Sequence, residues 1–135
     1  EEMQFGYRHS LIMDKNLIVT KVDMEFGHKE YNEIKQKMDE LAVKRREKQP
    51  LEFPSAGSTF KRPAGYFAGK LIQDAGLRGF QVGGAQVSEK HCGFVINKDQ
   101  ATAADVAELM RQVSAIVKEQ FGVELEAEVK RLGEF

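Results

Sequence analysis

The stretch PSAGSTFKRP, residues 54–63, sets Ser55, Ser58 and Thr59 around Ala56 and Gly57 and follows them with Lys61 and Arg62. Hydroxyls, backbone N–H groups and two cations at that density suit a bound phosphate, because charged donors and amides together replace the anion's water. The alternative is a plain turn with solvated cations. A serine hydroxyl here is also a candidate proton donor, provided a site holds it against the receiving atom. Farther on, VELEAEV puts Glu124, Glu126 and Glu128 on one side of an alternating pattern, which reads first as a solvated strand face.

His91, in EKHCGF, is either a loop histidine or a ligand, and with His9 and His28 it forms no spacing that would hold a metal. Tyr7, Arg8 and Ser10 make a polar cluster in FGYRHS, unless Arg8 is simply a surface cation. The glycine pair of VGGAQV lacks a GxGxxG frame, so it marks a bulge or a close backbone approach rather than a dinucleotide site. Cys92 has no activating partner in the sequence and reads as a small buried hydrophobe.

These groups need elements to place them. In residues 17–26, Ile18, Thr20, Val22, Met24 and Phe26 alternate with Val19, Lys21, Asp23 and Glu25, which predicts a half-buried strand. Tyr31, Ile34, Met38 and Leu41 then recur at helical spacing, predicting an amphipathic helix that runs to about Lys48 and stops at Gln49-Pro50. The 54–63 stretch reads as a loop. Beyond it, Ala68, Leu71, Ile72 and Ala75 share a helical face, with Gly76 as C-cap. Two apolar runs, 80–87 and 93–97, joined by a polar turn, predict a hairpin. Thr102 and Asp105 form a capping-box pattern ahead of Val106, Leu109, Met110, Val113, Ile116, Val117 and Phe121, so a helix is expected up to Gly122. VELEAEV predicts a closing strand. Interleaved helices and strands without a βαβ rhythm place the chain in the α+β class.

The 135 residues suffice for one domain, and 20 Lys+Arg against 21 Asp+Glu leave a formal net charge of -1. That balance lacks the basic surplus of a nucleic-acid binder, so no nucleic acid is expected as a partner. A single cysteine excludes a disulfide framework and a thiolate zinc site and fits a reducing cytoplasm. No apolar run approaches the roughly 20 residues of a membrane span, and EEMQFGYRHS is acidic where a signal peptide is basic. No membrane partner is expected. The chain opens without an initiator Met and with FGYRHS already in progress, so its N-terminus is expected to be a cut.

PSAGSTFKRP, taken with FGYRHS, AGKLIQDAGLRGFQVGGAQVSEKHCGFVIN, DQATAADV and LEAEVKRLG in that order, resembles the C-terminal part of the UDP-N-acetylenolpyruvoylglucosamine reductase (MurB) family. The likeness covers nearly the whole chain. The short loop before AGS and the HCGF strand are similar to the family's second type. The resemblance implies a flavoenzyme of peptidoglycan synthesis, a UDP-N-acetylmuramate dehydrogenase. NADPH reduces FAD, hydride passes to the methylene carbon of the enolpyruvyl ether, and the enol is protonated at its other carbon. It implies Ser58 as proton donor, Arg8 as the enol-stabilising arginine and Glu128 as the catalytic glutamate. It also implies that Lys48, Arg62 and His91 contact the UDP-sugar substrate, Arg62 standing where the other type has asparagine and His91 where it has glutamine. These roles make physical sense, since hydride addition beside a carboxylate builds negative charge there, which a fixed arginine stabilises while an acid delivers the proton.

The same resemblance assigns residues 1–49 to the C-terminal tail of an FAD-binding domain. Residues 50–135 become the substrate-binding domain, a small, mostly antiparallel sheet with helices. Most of the FAD site and the N-terminal FAD-binding half are then expected outside these residues, and the fragment alone is expected to be inactive. The alternative is a non-catalytic nucleotide-sugar-binding module. FGYR argues against it, because a stand-alone binder has no use for a catalytic arginine.

Overall fold

The computed structural model describes residues 2–7, 9–15 and 17–133. They fall into two compact units, Glu1–Lys35 and Gln36–Phe135. Among the described residues no helix is long and apolar enough to cross a membrane.

In the first unit the chain doubles back at a Gly6–His9 bridge, and α1 (Leu11–Asp14) follows, tied by its Leu11 amide to the Met3 carbonyl at 2.9 Å. The strand expected over 17–26 does not form. Those described residues have no regular structure, and Ile18, Val22, Met24 and Phe26 are exposed. Alternation makes a strand only where a neighbouring edge takes up the amides and carbonyls, and among the described residues no strand pairs with this stretch. The predicted helix does form, as α2 (Tyr31–Lys48), but its stripe of Tyr31, Ile34, Met38 and Leu41 is exposed rather than packed. Glu40 supports it along the surface, accepting from Lys37 and Lys44 one turn to either side.

The second unit is built on a four-stranded antiparallel sheet of order β1-β4-β3-β2, with β1 Ser55–Ser58, β2 Gln81–Val82, β3 Ala85–Val87 and β4 Phe94–Asn97. The 54–63 stretch is therefore an edge strand and its exit, not a loop. The 80–87 run is two strands rather than one, folded at Gly83-Gly84 so that Val82 faces Ala85. Gly83 has a φ of +52°, which favours glycine. Gly84 permits the expected close approach, since a Cβ there would lie 1.9 Å from the Asp99 carbonyl oxygen. The hairpin predicted between the two runs is present as β3–β4.

One helical layer covers the sheet. In α3 (Ala68–Asp74), Ala68, Leu71 and Ile72 are buried. The chain leaves it through Gly76, whose amide donates to Gln73, with the Leu77 amide reaching Ile72, a Schellman ending. In α4 (Ala103–Phe121) the capping box is complete, Gly122 sits at a φ of 68°, and Leu109, Met110, Val113 and Val117 are buried. They share one core with Phe60, Ile72, Leu77, Ala85, Val87 and Val95. Asp105 ties the start of α4 to the sheet, accepting from Thr102 at 2.9 Å and Gly84 at 3.4 Å. Those amides, Thr102 first, hold its carboxyl below the ordinary value.

VELEAEV keeps its predicted sidedness without becoming a strand. Val123, Leu125, Ala127 and Val129 pack against the core, yet among the described residues the segment forms a single isolated bridge, Ala127 to Phe60. β1 ends at Ser58, and the segment's backbone bonds to the residues just beyond it, the Lys61 amide donating to Glu126 at 2.8 Å and the Glu128 amide to Thr59 at 2.9 Å. The architecture is α+β, as expected.

Candidate functional site

Ser58 closes β1, opposite Phe94 of β4, and is exposed. The three hydroxyls do not form one cradle. Thr59 is only 3% exposed, and its Oγ1 accepts from the Val95 amide at 3.0 Å. The Thr59 amide donates to the Gly93 carbonyl at 2.9 Å, and its carbonyl accepts from the Glu128 amide at 2.9 Å. Glu128 is half-buried, with Oε2 sealed from solvent. Ser58 and Glu128 thus lie on adjoining segments.

His91 reaches the same neighbourhood from the turn before β4. Its Nδ1 accepts from the Gly93 amide at 3.0 Å, so the neutral ring carries its proton on Nε2. The ring stands edge-on to Phe94, with centroids 5.1 Å apart. The ring packs close to Gly69, where a Cβ would come within 3.2 Å of the imidazole and 3.0 Å of the Gly93 nitrogen, so a side chain there would need those neighbours to give by a few tenths of an ångström.

The two cations after Ser58 diverge. Lys61 forms an ion pair with Glu126, so one of the three alternating glutamates is engaged by the very segment read as an anion cradle. Arg62 donates from Nε to the Tyr66 carbonyl at 3.3 Å, and its guanidinium lies 3.9 Å above the Phe67 ring. That stacking orders the long side chain without neutralising it. Lys48 is the last residue of α2 and is exposed. Arg8 lies outside the described residues. Burial pushes the Cys92 thiol up, partly opposed by Arg78, which suits packing rather than nucleophilic chemistry. Among the described residues no group of His, Cys, Asp and Glu is placed to hold a metal ion.

Among the cavities beside the sheet, two lie against β1. One, of about 340 Å³, lies between the end of α2 and β1, where Arg45, Gln49, Phe53, Ser55, Gly57 and Phe94 line it. Arg45 donates to Gln49 at 3.2 Å along this wall. The other, about 470 Å³, is largely apolar and lies between β1, β4 and α4, with Val95, Val106, Met110, Val129 and Arg131 among its walls. Sequence reasoning missed Arg45, Gln49 and Phe53. The only local signal was the Arg45/Gln49 spacing of one helical turn, because the cavity draws on segments distant in sequence.

Residues 49–132 match the family described as UDP-N-acetylenolpyruvoylglucosamine reductase, C-terminal domain. The UDP-N-acetylenolpyruvoylglucosamine reductase of Agathobacter rectalis is 61% identical over 135 residues, which are 100% of this chain and 43% of that protein. The enzyme of the same name from Caldanaerobacter subterraneus subsp. tengcongensis is 55% identical over 134 residues, 99% of this chain and 44% of that protein. The crystal structure of UDP-N-acetylenolpyruvylglucosamine reductase (MurB) from Thermus caldophilus superposes with a TM-score of 0.76 at 41% identity, covering 94% of this chain and 45% of that one. The chain therefore spans less than half the length of these relatives.

Proposed function

This chain belongs to the UDP-N-acetylenolpyruvoylglucosamine reductase family, and from that premise we propose that the full-length protein reduces the enolpyruvyl group of a UDP-sugar to UDP-N-acetylmuramate in the cytoplasm, for peptidoglycan synthesis. Residues 50–135 form the substrate-binding domain, a division supported by the family match beginning at residue 49. Residues 1–49 are the tail of the FAD-binding domain. When bound, FAD supplies the hydride, with NADPH as the source of its electrons.

The residues present fit the edge of such a site. Ser58 offers an exposed hydroxyl at the end of β1, and Glu128 offers a partly desolvated carboxyl on the adjoining segment. Ser58 delivers its proton to the enol carbon. Serine is a weak acid, so its alkoxide needs positive charge nearby to be stabilised. Arg8 balances the charge that builds on the substrate carboxylate. Lys48 and Arg62 hold the diphosphate, and His91, whose Nδ1 is taken by Gly93, turns its Nε2–H to the ligand.

The observation that carries this reading is the Thr59 carbonyl holding the Glu128 amide at 2.9 Å, next to the exposed Ser58, in a chain of this family. The test is NADPH oxidation by the full-length protein. Beyond one equivalent per flavin, it should continue only when UDP-N-acetylglucosamine enolpyruvate is added and should yield UDP-N-acetylmuramate. Oxidation indifferent to that substrate, or none at all, contradicts the proposal.

A further inference from the structure

We propose that Thr59 is a positioning residue that fixes the Ser58 hydroxyl relative to Glu128 and His91, an inference that rests on the reductase reading above. Beyond the β1–β4 ladder itself, backbone groups of the β4 segment bond to the residues that flank β1. At one end the Asn97 amide donates to the Pro54 carbonyl at 2.8 Å, and at the other the Gly93 carbonyl accepts from the Thr59 amide at 2.9 Å. Between them, where the β1–β4 register shifts between Ser55 and Ser58, the Val95 amide is taken by a side chain, the Thr59 hydroxyl, at 3.0 Å.

Thr59 therefore ties three segments at one buried point. Its Oγ1 holds β4, and its amide holds Gly93, whose own amide is fixed on His91 Nδ1. Its carbonyl holds Glu128, and Ser58 precedes it in the chain. Valine at this position keeps the shape of threonine but offers no acceptor to a buried N–H, a loss that the strand relieves by shifting. Ser58, Glu128 and His91 stay chemically intact. Only their spacing changes, and a misplacement of about 1 Å is enough to cost on the order of 100-fold in rate.

The experiment compares the two half-reactions in the full-length protein. Thr59→Val is expected to slow reoxidation of the reduced flavin by UDP-N-acetylglucosamine enolpyruvate by about 10–100-fold, with flavin reduction by NADPH within about twofold of the parent. Thr59→Ser, which restores the acceptor, should recover reoxidation to within about threefold. Val113→Ala opens a cavity on the buried face of α4 and serves as the stability control, lowering Tm with reoxidation near the parent rate. Parent-like reoxidation in Thr59→Val, or equal slowing in Thr59→Ser or Val113→Ala, overturns the positioning role. If the valine variant does not fold, Thr59→Ser decides alone, and a slowing beyond about tenfold overturns the role of the hydroxyl. A parent protein with no substrate-dependent reoxidation overturns the reductase reading instead, before any variant is compared.

Discussion

Replacing Gly84 by alanine is expected to destabilise the second unit by roughly 2–4 kcal/mol. The added Cβ would lie 1.9 Å from the Asp99 carbonyl oxygen, 2.5 Å from the Ala101 nitrogen and 2.7 Å from its Cα. All three are backbone atoms, so no rotamer change relieves the clash. The segment at 99–101 must retreat, which weakens the bonds that the Gly84 carbonyl accepts from Lys98 at 2.9 Å and Asp99 at 3.1 Å. Each such bond is worth about 0.5–1.5 kcal/mol net, and overpacking strain adds about 1–3 kcal/mol, the two overlapping in part. With a urea slope of about 2 kcal/mol per molar, the unfolding midpoint should fall by about 1–2 M. Gly27→Ala is the control, since a Cβ there meets open space with no positive φ, and no loss is expected. Gly84→Ala within about 0.5 kcal/mol of the parent would refute the wedging of the β2–β3 turn against residues 99–101.

In the full-length protein, Arg62→Ala and Lys48→Ala should each raise KM for the UDP-sugar by about 10–100-fold, the cost of a lost charge-assisted contact. Lys61→Ala, whose cation is already paired with Glu126, should leave KM within about threefold, and steady-state kinetics showing the reverse order would transfer the clamp to Lys61. Glu108 is held down to about 2, from the ordinary 4.5, by the Arg111 side chain and then by Gln112. A depressed carboxylate contributes stability above its unfolded value and loses it as pH falls from about 4.5 toward 2. An NMR titration of Glu108 should therefore show a midpoint near 2 that rises in Arg111→Ala, and a parent midpoint near 4.5 contradicts the pairing.

What the sequence carried was whatever short-range chemistry decides. Thr102, Asp105 and Gly122 bracket α4 because a capping box and a left-handed glycine act within one turn. The Ala68, Leu71 and Ile72 face was legible for the same reason. Partner-dependent features were not. Alternation over 17–26 described sidedness but could not supply the edge a strand needs, and the stripe on α2 could not say whether anything covers it. Gly83-Gly84 was read as a bulge or close approach, and the turn went unrecognised because the flanking apolar run looked continuous. Around Ser58, the residue types were visible but their directions were not. That Thr59 turns inward while Ser58 stays exposed depends on a register shift against β4, and the Lys61–Glu126 pair joins residues 65 apart.

The most direct test of the account is stopped-flow analysis of Ser58→Ala in the full-length protein, with the flavin followed through both half-reactions. Reduction by NADPH should proceed as in the parent, because no proton from Ser58 enters that step. Reoxidation by UDP-N-acetylglucosamine enolpyruvate should slow by about 100–10,000-fold, the range for loss of a general acid. Equal slowing of both half-reactions, or parent-like reoxidation, would contradict the assignment of Ser58 as the proton donor.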